Sequence, residues 1–331
     1  MHDITRLQRA LSVTACTLAA GRIGLKYTCG VGGEGDATAR IAEAVIDWFE
    51  REARELPWRG AEARDIDPWA VLVSEFMLQQ TQASRVIPLF EAWMERWPRP
   101  SALAAEPPGE AVRAWGRLGY PRRALWLHRA AVEIATEHGD AVPRDVQALL
   151  SLTGIGPYTA RAVASFAFAD RHPVVDTNTR RVLARLVHGL AAAGAPKASD
   201  LDDMETLLPA DPVRARLFNA AAMELGAIVC TARAPRCGEC PVAAWCEWRG
   251  SGYPDNAPTV RRQAAFEGSD RQVRGRIMAL MRRSDGPVPR STALQAAAEG
   301  GVRGEDQAQR AYDSLVSDGL IVEFEGTVRL P

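Results

Sequence analysis

No apolar run in this chain approaches the ~20 residues that would cross a bilayer, so no membrane-spanning helix is expected. A charge excess is missing too. The 40 lysines and arginines meet 41 aspartates and glutamates, and the formal net charge is −1. No global field would draw the chain onto an anionic polymer, so nucleic-acid binding would have to use a local basic face. Strand signals are nearly absent up to the cysteine-rich segment, which leaves the body all-α. Cysteine is scarce and unevenly placed. Of six, Cys230, Cys237, Cys240 and Cys246 crowd together, while Cys16 and Cys29 lie in a different kind of sequence. That distribution argues for metal or cluster ligation in a reducing compartment rather than a disulfide framework. What the chain does have is size. Its 331 residues suffice for two or three compact units with a real core. A content of 47% hydrophobic and 24% charged residues is ordinary for a globular protein.

Residues 1–37 differ from the rest. Arg6 and Arg9 precede Ala10 to Ala20, a faint likeness of a signal peptide. Gly30-Val-Gly-Gly-Glu-Gly reads as a flexible linker, and the whole stretch is expected to be a disordered extension. From Ala39 the spacing is helical, with Ile41, Val45, Trp48 and Phe49 on one face. Leu56-Pro-Trp-Arg59 ends that helix, and Asp67-Pro-Trp opens another that runs from Ala70 to Gln82. Helices are expected at Ile87 to Trp97, Glu110 to Arg117, Arg122 to His138 and Val146 to Leu152, with a turn at Pro98 to Ser101. Thr177 to Leu190, Asp203 to Leu208 and Val213 to Ile228 complete a helical domain over 38–250. A Pro/Ala/Arg-rich linker covers 251–268. Residues 269–331 read as three helices, Val273 to Arg282, Ser291 to Ala298 and Asp306 to Asp318, and a tight hairpin after Leu320. That order is winged-helix-like.

Two carboxylates, one turn and one loop in this body invite chemistry. Glu75 has Val71, Leu72, Leu78 and Gln79 three and four residues away, so it should be desolvated where most glutamates are solvated. In Leu152-Thr-Gly-Ile-Gly-Pro-Tyr158, Gly154 and Gly156 allow a turn that a Cβ would resist. The helix starting near Tyr158 would then offer free backbone N–H groups to a phosphate, although a plain capping turn would look the same in isolation. Asp176 follows at another helix start, where N-capping is its ordinary use. Cys230-x6-Cys237-x2-Cys240-x5-Cys246 sets four thiolates in one closed loop, able to hold a four-iron cluster or a structural zinc. Arg233 and Arg236 inside it either meet phosphates or are simply solvated.

The hairpin with its trailing aspartate resembles the helix–hairpin–helix DNA glycosylases, and the cysteine spacing is similar to the cluster loop of the endonuclease III superfamily. Leu56-Pro-Trp-Arg59, Glu75, Met77-Leu-Gln-Gln-Thr-Gln82, the hairpin with Tyr158, Asp176 and the cysteines follow one another in order. Together they resemble the adenine DNA glycosylases of the MutY type, over roughly Ile41 to Trp248. The resemblance implies a two-lobed helix–hairpin–helix glycosylase fold with a 4Fe-4S cluster on Cys230, Cys237, Cys240 and Cys246. It implies a monomer, cytoplasmic and nucleoid-associated, acting in base excision repair on double-stranded DNA with A·8-oxoG or A·G mispairs. Adenine would be flipped out of the duplex and cut from its sugar. Superfamily members that also break the strand carry lysine at the position of Tyr158. A phenol forms no Schiff base, so the reaction should stop at an abasic site.

The same resemblance assigns roles residue by residue. Glu75 is similar to the family's general acid at adenine N7 and the later base for water. An unperturbed glutamate, pKa about 4.3, would be only about 0.2% protonated at pH 7, and burial should raise that fraction. Asp176, ionised, would stabilise the cationic sugar, with Tyr158 and Asn178 orienting the intermediate and water, a pairing of carboxylates like that of glycoside hydrolysis. Arg54, Leu56, Trp58, Arg59 and Leu78 match residues of the adenine pocket. Gln80 and Tyr120 match residues that fill the gap near the opposite 8-oxoguanine; with Gln79, Gly154, Ile155, Gly156, Arg233 and Arg236 they make up the expected DNA contacts. The chain departs from the family at Ala220, where Gln or Glu is common, and at Pro121, where a second tyrosine is usual. The unit from Ser269 does not look like the β-rich, Nudix-related domain that ends many members. Two rival readings exist. A thymine glycosylase for T·G mismatches can carry the same tyrosine, and a non-catalytic iron–sulfur DNA-binding or redox-sensing protein would use Glu75 as a buried charge and Asp176 as a cap.

Overall fold

The computed structural model describes residues 34–60, 66–257, 265–299 and 305–331, with only the backbone for 34–36 and 305. Residues 1–33 of the expected extension and 258–264 of the expected linker lie outside the described residues. The body is helical throughout: α1 (Glu34–Glu52), α2 (Pro68–Leu78), α3 (Ala83–Arg96), α4 (Pro100–Ala104), α5 (Pro108–Ala114), α6 (Arg122–Glu137), α7 (Val146–Ser151), α8 (Pro157–Phe168), α9 (Thr177–Leu186), α10 (Ser199–Leu207) and α11 (Pro212–Ile228). A 3₁₀ turn at Ala243–Trp245 and α12 (Glu247–Gly250) close the cysteine segment. The C-terminal part holds α13 (Asp270–Arg283), β1 (Val288–Pro289), α14 (Arg290–Ala298), α15 (Glu305–Ser317), β2 (Val322–Phe324) and β3 (Thr327–Arg329).

Two compact units emerge. The first takes the described residues of Met1–Ala53, Val175–Pro209 and Leu217–Thr259. In it α1 packs on α10, and α9 on α10 and α12. The second takes those of Arg54–Val174, Ala210–Arg216 and Val260–Pro331. Its centre is α2, which is buried without a break from Val71 to Met77 and packs on α3, α6 and α8. A helix apolar on every side can only be a core helix. Trp93 anchors the surrounding layer, edge-on to Trp97 at 4.6 Å and to Trp115 at 5.9 Å.

Several element boundaries differ from expectation. Helix α1 begins at Glu34, inside the stretch read as extension. The turn expected at Pro98 to Ser101 is instead followed by the short helix α4, with Pro100 in its first turn, where proline's missing N–H costs nothing. The Asp140 carboxylate accepts hydrogen bonds from the Ser101 N–H at 2.6 Å and its hydroxyl at 2.7 Å, which holds α4 against α6.

The C-terminal helices and the antiparallel sheet, order β1-β3-β2, form the winged-helix-like arrangement. Glu325 and Gly326 turn the hairpin with φ of +47° and +73°, the left-handed pair that a two-residue connection favours. This part joins the core of the second unit. The Gly109 N–H donates to the Pro331 carbonyl at 2.8 Å, where any Cβ on Gly109 would strike Pro331 and Leu330. Arg113 donates to the carbonyls of Arg282 and Ser284, and Arg122 pairs with Asp318 at 3.2 Å.

Candidate active site

Asp67 starts α2 by accepting the Trp69 N–H at 2.9 Å, with Pro68 at the first turn. The helix then carries Glu75 into the middle of the second unit, where the residue is 6% exposed, between buried Val71, Leu72 and Phe76. Tyr158 is half-buried on α8, which packs against α2. The expected continuation of α2 to Gln82 does not form. The helix stops at half-buried Leu78, Gln79 is its C-cap, and exposed Gln80 turns left-handed at φ +58°. Before α2, Arg54 to Arg59 fold into a turn, with the Arg59 N–H on the Leu56 carbonyl at 3.0 Å and the Arg59 guanidinium on the Arg54 carbonyl at 2.8 Å. Trp58 is spent in the core, edge-on to Phe90 at 5.3 Å, while Leu56 packs beside it, half-buried.

The hairpin between α7 and α8 uses its two glycines differently. Gly154 has φ +81°, and a Cβ there would lie 2.7 Å from the Trp126 Cβ and 3.2 Å from the Phe76 ring. Only glycine fits. Gly156, in contrast, is extended at φ −97°, and a Cβ there would meet nothing within 4 Å. The turn therefore needs Gly154 alone, which corrects the expectation for Gly156. Gly156 is the N-cap of α8, with Pro157 in the first turn, and no side-chain hydrogen bond closes that end of the helix. Ile155 is buried and roots the hairpin. Glu133 braces it, accepting the Thr153 N–H at 2.7 Å and hydroxyl at 2.6 Å.

In the first unit, Asp176 caps α9. One carboxylate oxygen accepts the Thr179 N–H at 2.7 Å and the other accepts the Asn178 side-chain amide at 2.9 Å. Burial pushes the Asp176 carboxyl above its ordinary value, although these donors pull the other way. Asn178 in turn accepts from Arg181 at 2.9 Å, and Arg181 also donates to the carbonyls of Gly226 at 2.6 Å and Cys230 at 2.7 Å. One guanidinium thus ties the Asp176–Asn178 pair to the start of the cysteine loop. At Gly226 a Cβ would fall 2.6 Å from the Asn178 carbonyl oxygen, so α11 lies flush against the start of α9. Neither Arg181 nor Gly226 stood out in the sequence, although a lone glycine inside the helical run of α11 is a signal of close approach.

The cysteine loop offers four thiols, and its one carboxylate, Glu239, pairs with Arg236. Cys230, Cys237, Cys240 and Cys246 are all half-buried and none is in a disulfide. Burial pushes the Cys240 thiol up to about 12 and raises that of Cys246. Without metal these thiols therefore keep their protons, which binding would release. Buried Arg185 donates to the Cys230 sulfur at 3.3 Å and to the Thr231 carbonyl at 2.7 Å, and stacks on Trp248 at 4.6 Å. Among the described residues no group of three or more His, Cys, Asp or Glu converges as on a single ion. The fit to a cluster rests on the donor set: four soft sulfurs, no imidazole or unpaired carboxylate, and a neighbouring cation to offset thiolate charge. Arg236 donates to the Ile228 carbonyl at 2.7 Å and pairs with Glu239 at 2.7 Å, and both it and Arg233 are exposed.

Residues 73–197 match the family of HhH-GPD superfamily base excision DNA repair proteins, and residues 230–246 match the iron–sulfur binding domain of endonuclease III. The cofactor of the loop is a 4Fe-4S cluster. An adenine DNA glycosylase of Mycolicibacterium smegmatis is 54% identical over 281 residues, 84% of this chain and 91% of that protein. One from Mycobacterium tuberculosis is 49% identical over 289 residues, 87% of this chain and 92% of that protein. Among solved structures, a thermostable thymine-DNA glycosylase matches with a TM-score of 0.57 and 26% identity over 65% of this chain and 98% of its own. At 49–54% identity over most of both chains, this protein belongs to the adenine DNA glycosylases of the helix–hairpin–helix base excision repair superfamily.

Proposed function

We propose that this protein binds duplex DNA containing adenine opposite 8-oxoguanine or guanine, flips the adenine out, and hydrolyses its bond to the sugar without breaking the strand. The observation that carries this reading is Glu75, a carboxyl held at the centre of an apolar helix with 6% of its surface exposed. A helix charge kept there by folding alone would be a poor choice. Protonated Glu75 donates to the departing adenine, whose protonated ring is a better leaving group. Asp176 supplies negative charge beside the developing sugar cation. Asn178, donating to Asp176 at 2.9 Å, holds the unused face of that carboxylate. Tyr158 orients the sugar, and Arg54, Leu56, Trp58, Arg59 and Leu78 shape the pocket for the base. Cys230, Cys237, Cys240 and Cys246 would hold the cluster, whose iron–thiolate bonds fix the loop carrying Arg233. Single-turnover release from labelled duplexes with A·8-oxoG, A·G, T·G and undamaged pairs tests the reading. Release of thymine but not adenine would overturn it in favour of the thymine rival. The relatives at 49–54% identity are adenine DNA glycosylases, whereas the thymine-DNA glycosylase shares 26%, which favours adenine.

Reaction class has its own test. With a phenol in place of an amine at residue 158, borohydride should trap no covalent complex, and product strands should break only on alkali treatment. Efficient trapping would end the monofunctional assignment.

The hairpin glycines give a paired prediction. Gly154→Ala should cost about 1–3 kcal/mol of stability, since it forces a side chain into left-handed backbone against the Trp126 Cβ. Gly156→Ala should stay within about 0.5 kcal/mol of the parent yet weaken duplex binding, because its methyl would stand where the α8 N–H groups meet a phosphate. Thermal melts beside fluorescence-anisotropy titrations separate the two effects. Equal duplex affinity for Gly156→Ala would remove the hairpin from the DNA contact.

The C-terminal part is read as a brace and not as a second DNA reader. The exposed side of α15 carries Asp306 and Asp313 beside Arg310, a poor face for phosphates.

A further inference from the structure

Arg123 is 4% exposed, and among the described residues no carboxylate pairs with it. It stands at the start of α6, where the helix dipole disfavours a cation. Burial pushes its pKa down, and one of its amino groups, Nη2, is buried with no hydrogen-bond partner among the described residues. An apolar side chain of the same length would serve folding better at such a place.

What the guanidinium touches gives it a purpose. Nη1 donates to the Phe76 carbonyl at 3.0 Å and to the Gln79 carbonyl at 2.6 Å, closing the end of α2. The Gln79 carbonyl belongs to the peptide that leads into Gln80, so its direction sets the left-handed turn at φ +58°. On the other side the guanidinium lies 5.1 Å from the centre of the Tyr120 ring, and the Arg123 N–H donates to the Tyr120 carbonyl at 3.0 Å. Tyr120 is itself left-handed at φ +47° and 51% exposed. Neither residue is glycine, so both conformations are strained and need outside support. Thr81 adds a weaker tie between the same two segments, its hydroxyl 3.4 Å from the Leu118 carbonyl.

We infer that Arg123 is a positioning residue that locks Gln80 and Tyr120 into one rigid element for reading the base opposite the adenine. The inference rests on the reading of Gln80 and Tyr120 as the residues that fill the duplex beside that base. Arg123 touches neither DNA nor the reacting atoms. Its effect is on discrimination, not on bond cleavage.

The test uses the full-length, cluster-loaded protein. Single-turnover adenine release is measured on A·8-oxoG and A·G duplexes for the parent, Arg123→Met, Arg123→Lys, Gln80→Ala, Tyr120→Ala and the Arg123→Met/Gln80→Ala double variant. Arg123→Met is expected to lower the 8-oxoG-to-G rate ratio about tenfold, mainly by slowing the A·8-oxoG reaction. Arg123→Lys, which keeps charge but loses the fork, should fall between. In the Gln80→Ala background the Arg123 change should lower the ratio little further, because both act through one element. If Gln80→Ala and Tyr120→Ala lower the ratio while both Arg123 variants keep it, the inference fails and the underlying reading stands. A ratio unmoved by Gln80→Ala and Tyr120→Ala sinks both. Equal slowing on the two duplexes, or a lower melting temperature with an intact ratio, would reduce Arg123 to a structural part. Should Arg123→Met fail to fold, Arg123→Lys decides on the same criterion.

Discussion

Glu75→Gln should bind an A·8-oxoG duplex as the parent does and release adenine about 10² to 10⁴-fold more slowly in a single turnover. The substitution keeps the shape of the side chain and removes only the acid. No neighbour on the same helix can replace it: Ser74 commits its hydroxyl to the Val71 carbonyl at 2.8 Å, and Phe76 and Met77 carry no proton to give. Stability should hold or rise slightly, since an amide is less costly to bury than a carboxyl that must sometimes ionise. The alternative, Glu75 as a buried structural charge, forecasts the reverse, with altered melting and retained turnover. Near-parental release by a well-folded Glu75→Gln protein would take the general acid away from this residue.

What the sequence made visible follows from how far apart the cooperating residues lie. Glu75 could be singled out because three of its four three- and four-residue neighbours, Val71, Leu72 and Leu78, are apolar, a relation carried by one helix, and it is indeed buried. The cysteines announce themselves because a loop ligates with residues close in sequence. The helices were visible from periodicity, and their ends moved by a few residues, most consequentially at Leu78, where α2 stops short of Gln82. At that stop the Gln79 carbonyl accepts from the guanidinium of Arg123, 44 residues further along. No local pattern in the sequence could supply it. Arg181 was invisible for the same reason, since its acceptors Gly226 and Cys230 are 45 and 49 residues away. The glycines divide likewise. Gly-x-Gly looked symmetric, and only packing on Trp126 and Phe76 distinguishes Gly154 from Gly156. The short strand β1, Val288–Pro289, carries no alternation to read and exists because Val288 pairs with Val328 of the terminal hairpin.

Asp176→Asn should suppress adenine release at least about 10²-fold, the scale of removing one charge-stabilising group from a reaction centre, and should make the protein more stable at neutral pH. Both effects have the same origin. Asparagine caps a helix as well as aspartate does, so the Thr179 N–H bond of 2.7 Å survives the change, while the Asn178 amide loses its acceptor oxygen, a smaller cost than the buried charge that is removed. Burial, the main influence on Asp176, pushes its carboxyl above the ordinary value of 3.8, against the donors Thr179 and Asn178. A raised folded-state value means that folding favours the protonated form. The stability that form contributes is complete below the unfolded value and is lost as pH rises through the folded one. At neutral pH the ionised carboxylate is therefore a cost that asparagine does not carry. The gain expected is about 0.5–2 kcal/mol, or a few degrees in Tm. The difference in Tm between variant and parent should shrink as pH falls from about 8 to about 5, towards the range in which the parent's carboxyl takes up its proton. A carboxylate held above its comfortable energy is also one that gains most when a cation forms beside it, which links the instability to the chemistry. Melting curves across that pH range, set beside single-turnover rates, check both halves. A variant that melts lower than the parent at every pH would make Asp176 chiefly a cap, and one that keeps near-parental release would remove it from the reaction.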